Sequence, residues 1–294
     1  AREIGRLWQP TPWLTEVLPR LRPGRVLELA CGTGRDAVYM AAEGWEVTGT
    51  RRWDGDAAGL AEAGIDDVVV DVGDRQELEH ALSGANYAFY CVAPDVELGA
   101  DAYRRRATIG IRNVLQVARD AEVERVIVTS SAATLGGAEP GVKLDEKNYY
   151  LPGRAGDHFV EAAYAVEQEC FRQAADGQYV VMVNPTVVFG PGAKFPARRR
   201  LSGVADDAPV NWVDIGRVAR AHVAAMEFGH RGERYVVGGR NATLEEFYRA
   251  VDAEPEIATG RVLFRFREPP YRDRQLLRGG VWVDDSKAER QLGL

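Results

Sequence analysis

The feature that most limits how this chain can fold is the changing period of its apolar residues. Short runs rich in Val, Ile and Leu, read as strands at residues 25–30, 46–50, 67–72, 87–93, 125–130, 180–184 and 233–237, are separated by longer segments. Those segments, at 36–43, 57–63, 75–82, 103–121 and 158–175, carry apolar residues every three or four positions and read as helices. Parallel strands need a crossover of a dozen or more residues between them, usually a helix, and the crossover is right-handed. Strands that alternate with helices of this length therefore predict a doubly wound α/β protein with a parallel sheet. Val68, Val69 and Val70 are apolar in succession, which fits burial of a strand on both faces. The Pro-, Gly- and Arg-rich stretch 190–203 reads as a boundary. It predicts a larger unit over residues 1–190 and a smaller C-terminal lobe over 191–294.

Charge and cysteine usage narrow the function classes. A net charge of −7 and a pI near 5.3 argue against nucleic acid and acidic membrane surfaces as partners, so an anionic ligand must be held by local donors. Cys31, Cys91 and Cys170 are scattered, with no Cys-x-x-Cys pair and no neighbouring His. That pattern suits a reducing compartment and predicts no metal site and no disulfide frame. No apolar run approaches the ~20 residues that cross a bilayer, and the first residues, with Glu3, Pro10 and Pro12, do not read as a secretory signal. The expectation is a cytoplasmic protein.

Directly after the first strand comes Gly32-Thr33-Gly34-Arg35-Asp36-Ala37. In a strand–turn–helix context, Gly32 permits the tight turn and Gly34 lets backbone approach a pyrophosphate. Ala37 allows close helix–strand packing, and the helix amino end attracts negative charge. The pattern predicts a Rossmann-like nucleotide-binding sheet. The identity of the nucleotide stays open at this point. The Glu28-x-x-x-Gly32-x-Gly34 spacing within residues 24–50, together with the upstream WQPTPWL, resembles motif I of class I S-adenosylmethionine-dependent methyltransferases. In that family a carboxylate closing the second strand holds the cofactor ribose. Here the strand ends Thr50-Arg51-Arg52, and Asp54 lies beyond it. Arginine at that place suits a 2′-phosphate, hence NADP; the alternative is two solvated side chains.

From about residue 52 onward the chain resembles the extended short-chain dehydrogenases, in the branch of dihydroflavonol-reductase-like proteins and sugar epimerases. VVVDVGDRQEL (68–78), YAFYCVAP (87–94), RNVLQVARDAEVERVIVTSSAATLGG (112–137), VVMVNPTVVFGPG (180–192), GERYVVGGRNATLEEF and VDDSKAERQLGL follow the family's segments in order. The resemblance implies NAD or NADP as cofactor and a small-molecule substrate held by the C-terminal lobe. Asp71 and Val72 would border the adenine, Cys91, Val92 and Ala93 would pass beside the ribose, and Asn184 and Thr186 would flank the nicotinamide. Ser131 falls at the catalytic Ser/Thr position. Family habit further implies a homodimer through the 103–121 and 158–175 helices.

The family's chemistry needs Tyr-x-x-x-Lys on the helix before the NPTVVFGPG strand, where the ammonium lowers the phenol pKa and the phenol exchanges a proton with substrate. Here Phe159 stands at the tyrosine position and Ala163 at the lysine position. The residues four before Lys143, Lys147, Lys194 and Lys287 are Glu139, Lys143, Gly190 and Val283, so no register of the motif exists. Tyr164 lies about 140° around a helix from Phe159. Tyr149, Tyr150 and His158 could approach the site, and His158 has an intrinsic pKa suited to proton transfer; for each the other reading is structural. The family's usual Asn is Ala107, and its second aspartate in VDIGRVARAHV is Arg217.

Three functions follow in order. The first is an NAD(P)-dependent oxidoreductase or sugar epimerase with the Tyr/Lys pair missing, acting on a small carbonyl or nucleotide sugar. The second is a non-catalytic NAD(P)-binding protein on the same scaffold. The third is an S-adenosylmethionine-dependent methyltransferase, resting on residues 24–50 alone.

Overall fold

A computed structural model describes residues 23–29, 44–51, 66–92, 99–137, 141–152, 158–190, 194–196, 205–253, 258–260 and 281–294. Among them, seven parallel strands form one sheet. These are β1 (Arg25–Leu29), β2 (Glu46–Arg51), β3 (Asp66–Val69), β4 (Tyr87–Tyr90), β5 (Arg125–Thr129), β7 (Val180–Pro185) and β11 (Arg234–Val237), in the order β3-β2-β1-β4-β5-β7-β11. The chain moves outward from β1 through β2 to β3, returns to β4 on the other side of β1, and moves outward again. Strand order therefore reverses between β1 and β4, whose tips pair Leu29 with Tyr90. Ligands of open α/β sheets bind in the crevice at such a reversal.

Helices α1 (Arg75–Leu82), α2 (Ala100–Asp120) and α3 (His158–Ala175) cover one face; α4 (Ile215–Phe228) and α6 (Ser286–Leu292) cover the other. The period of two along each strand divides its residues between them. Val126, Val128, Val180 and Met182 join Leu78, Leu82, Ile111, Val114, Leu115 and Cys170. Ile127, Val181 and Val183 face Val218, Ala221, Tyr235 and Leu292. Strands β5 and β7, apolar on both faces, are thus accounted for by two cores, whereas Val69 of the edge strand β3 is 37% exposed, against the burial expected for Val68–Val70 on both faces. Helix α1 begins on Asp74, whose carboxylate accepts from the Gln76 and Glu77 amides, and this cap contributes about 1 kcal/mol.

A second sheet, β12-β10-β8, is built from β8 (Val187–Phe189), β10 (Pro209–Asp214) and β12 (Arg240–Thr243), and two short pairs join β6 (Lys143–Leu144) to β14 (Trp282–Val283) and β9 (Lys194–Pro196) to β13 (Ala258–Gly260). Helix α5 (Leu244–Ala253) packs Leu244, Phe247 and Tyr248 against Val210 and Trp212. The boundary expected at residue 190 falls directly after the end of β8. Strand β8 already belongs to the lobe, while β11, α4 and α6 return to the main sheet. The physical reason is that β7 would otherwise be an unpaired edge with one apolar face open to water. Two expected strands also stop early. Strand β3 ends at Val69 rather than 72 because Asp71 takes the chain into a turn, its carboxylate accepting from the Gly73 amide at 2.8 Å. Strand β4 ends at Tyr90 rather than 93.

Candidate active site at the strand tips

The crevice between β1 and β4 is flanked by the chain leaving β3, β4 and β5. Gly32, Gly34, Ala37, Arg52 and Ala93 lie outside the described residues, and Arg51 is the last residue of β2. Asp71 and Val72 leave β3 beside α2. The Asp71 carboxylate forms an ion pair with Arg106, and Asn113 Nδ2 donates to the carbonyls of Val72 (3.1 Å) and Gly73 (3.2 Å). Gly110 makes this approach feasible, since a Cβ there would stand 2.8 Å from Val72 Cγ2 and 3.3 Å from the Tyr90 hydroxyl oxygen. Cys91 is exposed and Val92 partly buried where β4 ends.

At the tip of β5, three hydroxyls diverge. Thr129 Oγ1 lies 2.7 Å from His222 Nε2 and 3.2 Å from Cys91 Sγ. His222 Nδ1 is 2.8 Å from the Val218 carbonyl. A carbonyl only accepts, so Nδ1 carries the hydrogen and Nε2 accepts from Thr129. Burial pushes the His222 pKa down, which keeps the ring neutral at pH 7. Ser130 Oγ donates to Glu167 at 2.6 Å. Ser131 caps a 3-10 turn, Ala132–Leu135, its Oγ accepting from the Ala133 amide at 3.2 Å. Because that bond uses a lone pair, the Ser131 O–H remains able to donate.

Helix α3 presents the positions where a proton donor would be expected. Phe159 is partly buried against the α2 side of the core, its ring 6.3 Å from Tyr103, and Ala163 is half-buried. His158 is turned onto Tyr103, edge to face at 5.3 Å. Tyr150 and Tyr164 pack together at 6.0 Å beside Ala133 and Val160, with the Tyr150 hydroxyl donating to Glu161 at 2.6 Å. The structure therefore brings Tyr150 next to the turn that follows Ser131, while His158 faces α2.

Asn184 and Thr186 are buried, and both donate to protein groups, while Asn184 Oδ1 has no hydrogen-bond partner among the described residues. Thr186 Oγ1 donates to Asn211 at 2.6 Å. Asn184 Nδ2 donates to the Ser131 carbonyl at 3.1 Å, to Thr134 Oγ1 at 3.0 Å and to Glu167. Glu167, 1% exposed, was not expected from sequence as a site residue, nor was Arg234, 3% exposed, whose Nη1 lies 3.0 Å from Glu167 Oε2. One signal was available. Glu167 lies four residues after Ala163 and three before Cys170, on the buried stripe of α3, where a carboxylate requires a partner.

The reversal point is flanked by the small side chains of Cys91 and Val92 and by hydroxyl donors on β5, and no helix among the described residues is long and apolar enough to cross a membrane. A family model, the NAD dependent epimerase/dehydratase family, matches residues 36–238. A Synechocystis protein with a provisional dihydroflavonol 4-reductase description is 29% identical over 224 residues, covering 70% of this chain and 64% of its own length. The sterol demethylase protein B of Methylococcus capsulatus is 26% identical over 87% of this chain and 88% of its own. The dTDP-glucose 4,6-dehydratase of Streptomyces venezuelae, solved with NAD bound, superposes with a TM-score of 0.68 at 19% identity, covering 93% of this chain and 91% of that one. The methyltransferase resemblance of residues 24–50 finds no support in these comparisons, since the family model that matches begins inside that segment, at residue 36, and is an epimerase/dehydratase one. With its strand order, reversal point and matched segments together, this chain belongs to the NAD-dependent epimerase/dehydratase family.

Proposed function

We propose that the protein is an NAD(P)-dependent oxidoreductase or sugar epimerase of the extended short-chain dehydrogenase type, acting on a small carbonyl or nucleotide-sugar substrate without the Tyr/Lys pair. The observation that carries this reading is Ser131. It stands at the tip of β5, two strands from β1 in the sheet order, capped so that its hydroxyl proton is available to a substrate oxygen. The bound nicotinamide would supply or accept the hydride. Ser131 orients the substrate oxygen by donating to it. Asp71, Val72, Cys91 and Val92 border the cofactor, with Gly32, Gly34 and Ala37 at its pyrophosphate, and Arg51 and Arg52 favour NADP over NAD. The acidic net charge and scattered thiols support a cytoplasmic placement, and the α2–α3 face supports a homodimer.

Phe159 and Ala163 cannot exchange a proton, so turnover is expected about 10² to 10⁴ below that of a chain carrying the pair. The test is titration with NADPH and with NADH, followed by oxidation of each in the presence of α-keto esters, aromatic ketones and UDP- or dTDP-sugars. Saturable binding with slow turnover is the expected result. Failure to bind either dinucleotide would reject the reading. Binding with no turnover would favour the second reading, a catalytically silent NAD(P)-binding protein, which Phe159 and Ala163 motivate.

A further inference from the structure

We propose that Glu167 is a positioning residue: it sets the Ser131 turn and, through Arg234, holds that turn in register with the 145–149 loop. The proposal rests on the reading of Ser131 as the hydroxyl that meets substrate. Its basis is the way one buried carboxylate gathers groups from separate parts of the chain.

Oε1 of Glu167 accepts from Ser130 Oγ at 2.6 Å, from Thr134 Oγ1 at 2.8 Å and from Asn184 Nδ2. Ser130 precedes Ser131, Thr134 lies three residues after it, and Asn184 also grips the Ser131 carbonyl at 3.1 Å. The turn is therefore held on both sides and at its own backbone. Oε2 faces the other way, to Arg234 Nη1 at 3.0 Å. The second arm of that guanidinium donates to the Glu146 carbonyl at 2.9 Å and to the Asn148 carbonyl, and its plane lies over the Tyr149 ring at 4.2 Å. The loop is also tied to the turn directly, since the Tyr150 amide donates to the Thr134 carbonyl at 2.8 Å.

The chemistry explains why the carboxylate suits this role. Charge-assisted hydrogen bonds are about twice as strong as neutral ones, and a buried charge confines its partners to one arrangement because every alternative leaves a group unsatisfied. A hydroxyl that must meet a substrate oxygen within a few tenths of an ångström gains from such confinement.

Two variants of the full chain separate positioning from general stability. Glu167→Asp keeps the charge and withdraws the carboxylate by about 1.5 Å, one C–C bond. Glu167→Gln with Arg234→Met keeps an acceptor at Oε1 and removes the clamp on the loop. Amide hydrogen exchange is read by mass spectrometry, beside NADPH binding and steady-state reduction of α-keto esters. In Glu167→Asp, exchange should rise at least tenfold in residues 132–136 with β4 and β7 unchanged. Its kcat should fall 10- to 100-fold, while KM and NADPH affinity change less than threefold. In the double variant the turn should stay protected, and exchange should rise in residues 145–150 instead.

Unchanged exchange in the turn of Glu167→Asp, or an equal rise across the whole sheet, would overturn the proposal. The exchange measurement needs no turnover, so it decides the positioning claim even if the wild-type chain reduces nothing. Absence of NADPH binding or turnover in the wild type would count against the function proposed above.

Discussion

Replacing Arg234 by Met tests how much the buried ion pair carries. The methionine side chain fills most of the volume left by the arginine stem, so the cavity contribution is small. What disappears is the counter-charge of a carboxylate that is 1% exposed. Breaking a buried pair from one side costs about 3–5 kcal/mol, and loss of the cation over the Tyr149 ring adds about 0.5–1 kcal/mol. A loss near 5 kcal/mol is expected on these magnitudes. With an unfolding entropy of about 2.1 cal/mol/K per residue, this 294-residue chain should lose roughly 8 °C in Tm, read by calorimetry at pH 7.5. Glu167→Gln in the Arg234→Met background should recover most of the loss, because the charge is gone and Oε1 can still accept. A single variant within about 2 °C of wild type, or a double variant no better than the single, would refute the assignment of this pair as a desolvated charge needing its partner.

Three further outcomes are expected. Phe159→Tyr combined with Ala163→Lys should raise NADPH oxidation by about 10² or more if the remaining geometry matches the family's chemistry, measured as kcat with the fastest carbonyl probe; unchanged kcat with cofactor bound would show that the defect lies elsewhere. His222 has its pKa pushed down by burial. Its contribution is therefore present above the unfolded value near 6.5 and is lost as pH falls toward the folded one. Thermal stability should decline from pH 7 to pH 5, and His222→Gln should flatten that decline. Gly239→Ala should be severely destabilising, beyond about 3 kcal/mol in urea titration, because a Cβ there would stand 2.4 Å from the Trp212 carbonyl oxygen and 3.0 Å from Val213 Cα, both backbone atoms that cannot rotate away.

Much of the layer architecture could be read along the chain. The β-branched runs became the parallel strands, and the helices at 75–82 and 158–175 match α1 and α3 in both bounds, because local period and burial agree there. That Phe159 and Ala163 carry no exchangeable side-chain proton was equally legible, since this is a property of residue type alone. His158 was not: its ring is turned onto Tyr103, 55 positions earlier in the chain, by the packing of α3 on α2.

What the chain determined by itself was a set of amphipathic and apolar segments. Only the tertiary structure decided which strand tips would meet and which charges would be buried. Glu167 and Arg234 are 67 positions apart, and nothing local to either one specifies the other. Their pairing follows from the return of β11 to the sheet beside β7, which places a cation where a carboxylate has already been taken out of water. Strand order is set by long-range pairing and by the exclusion of water from both faces, and those forces act between segments that the linear pattern leaves independent.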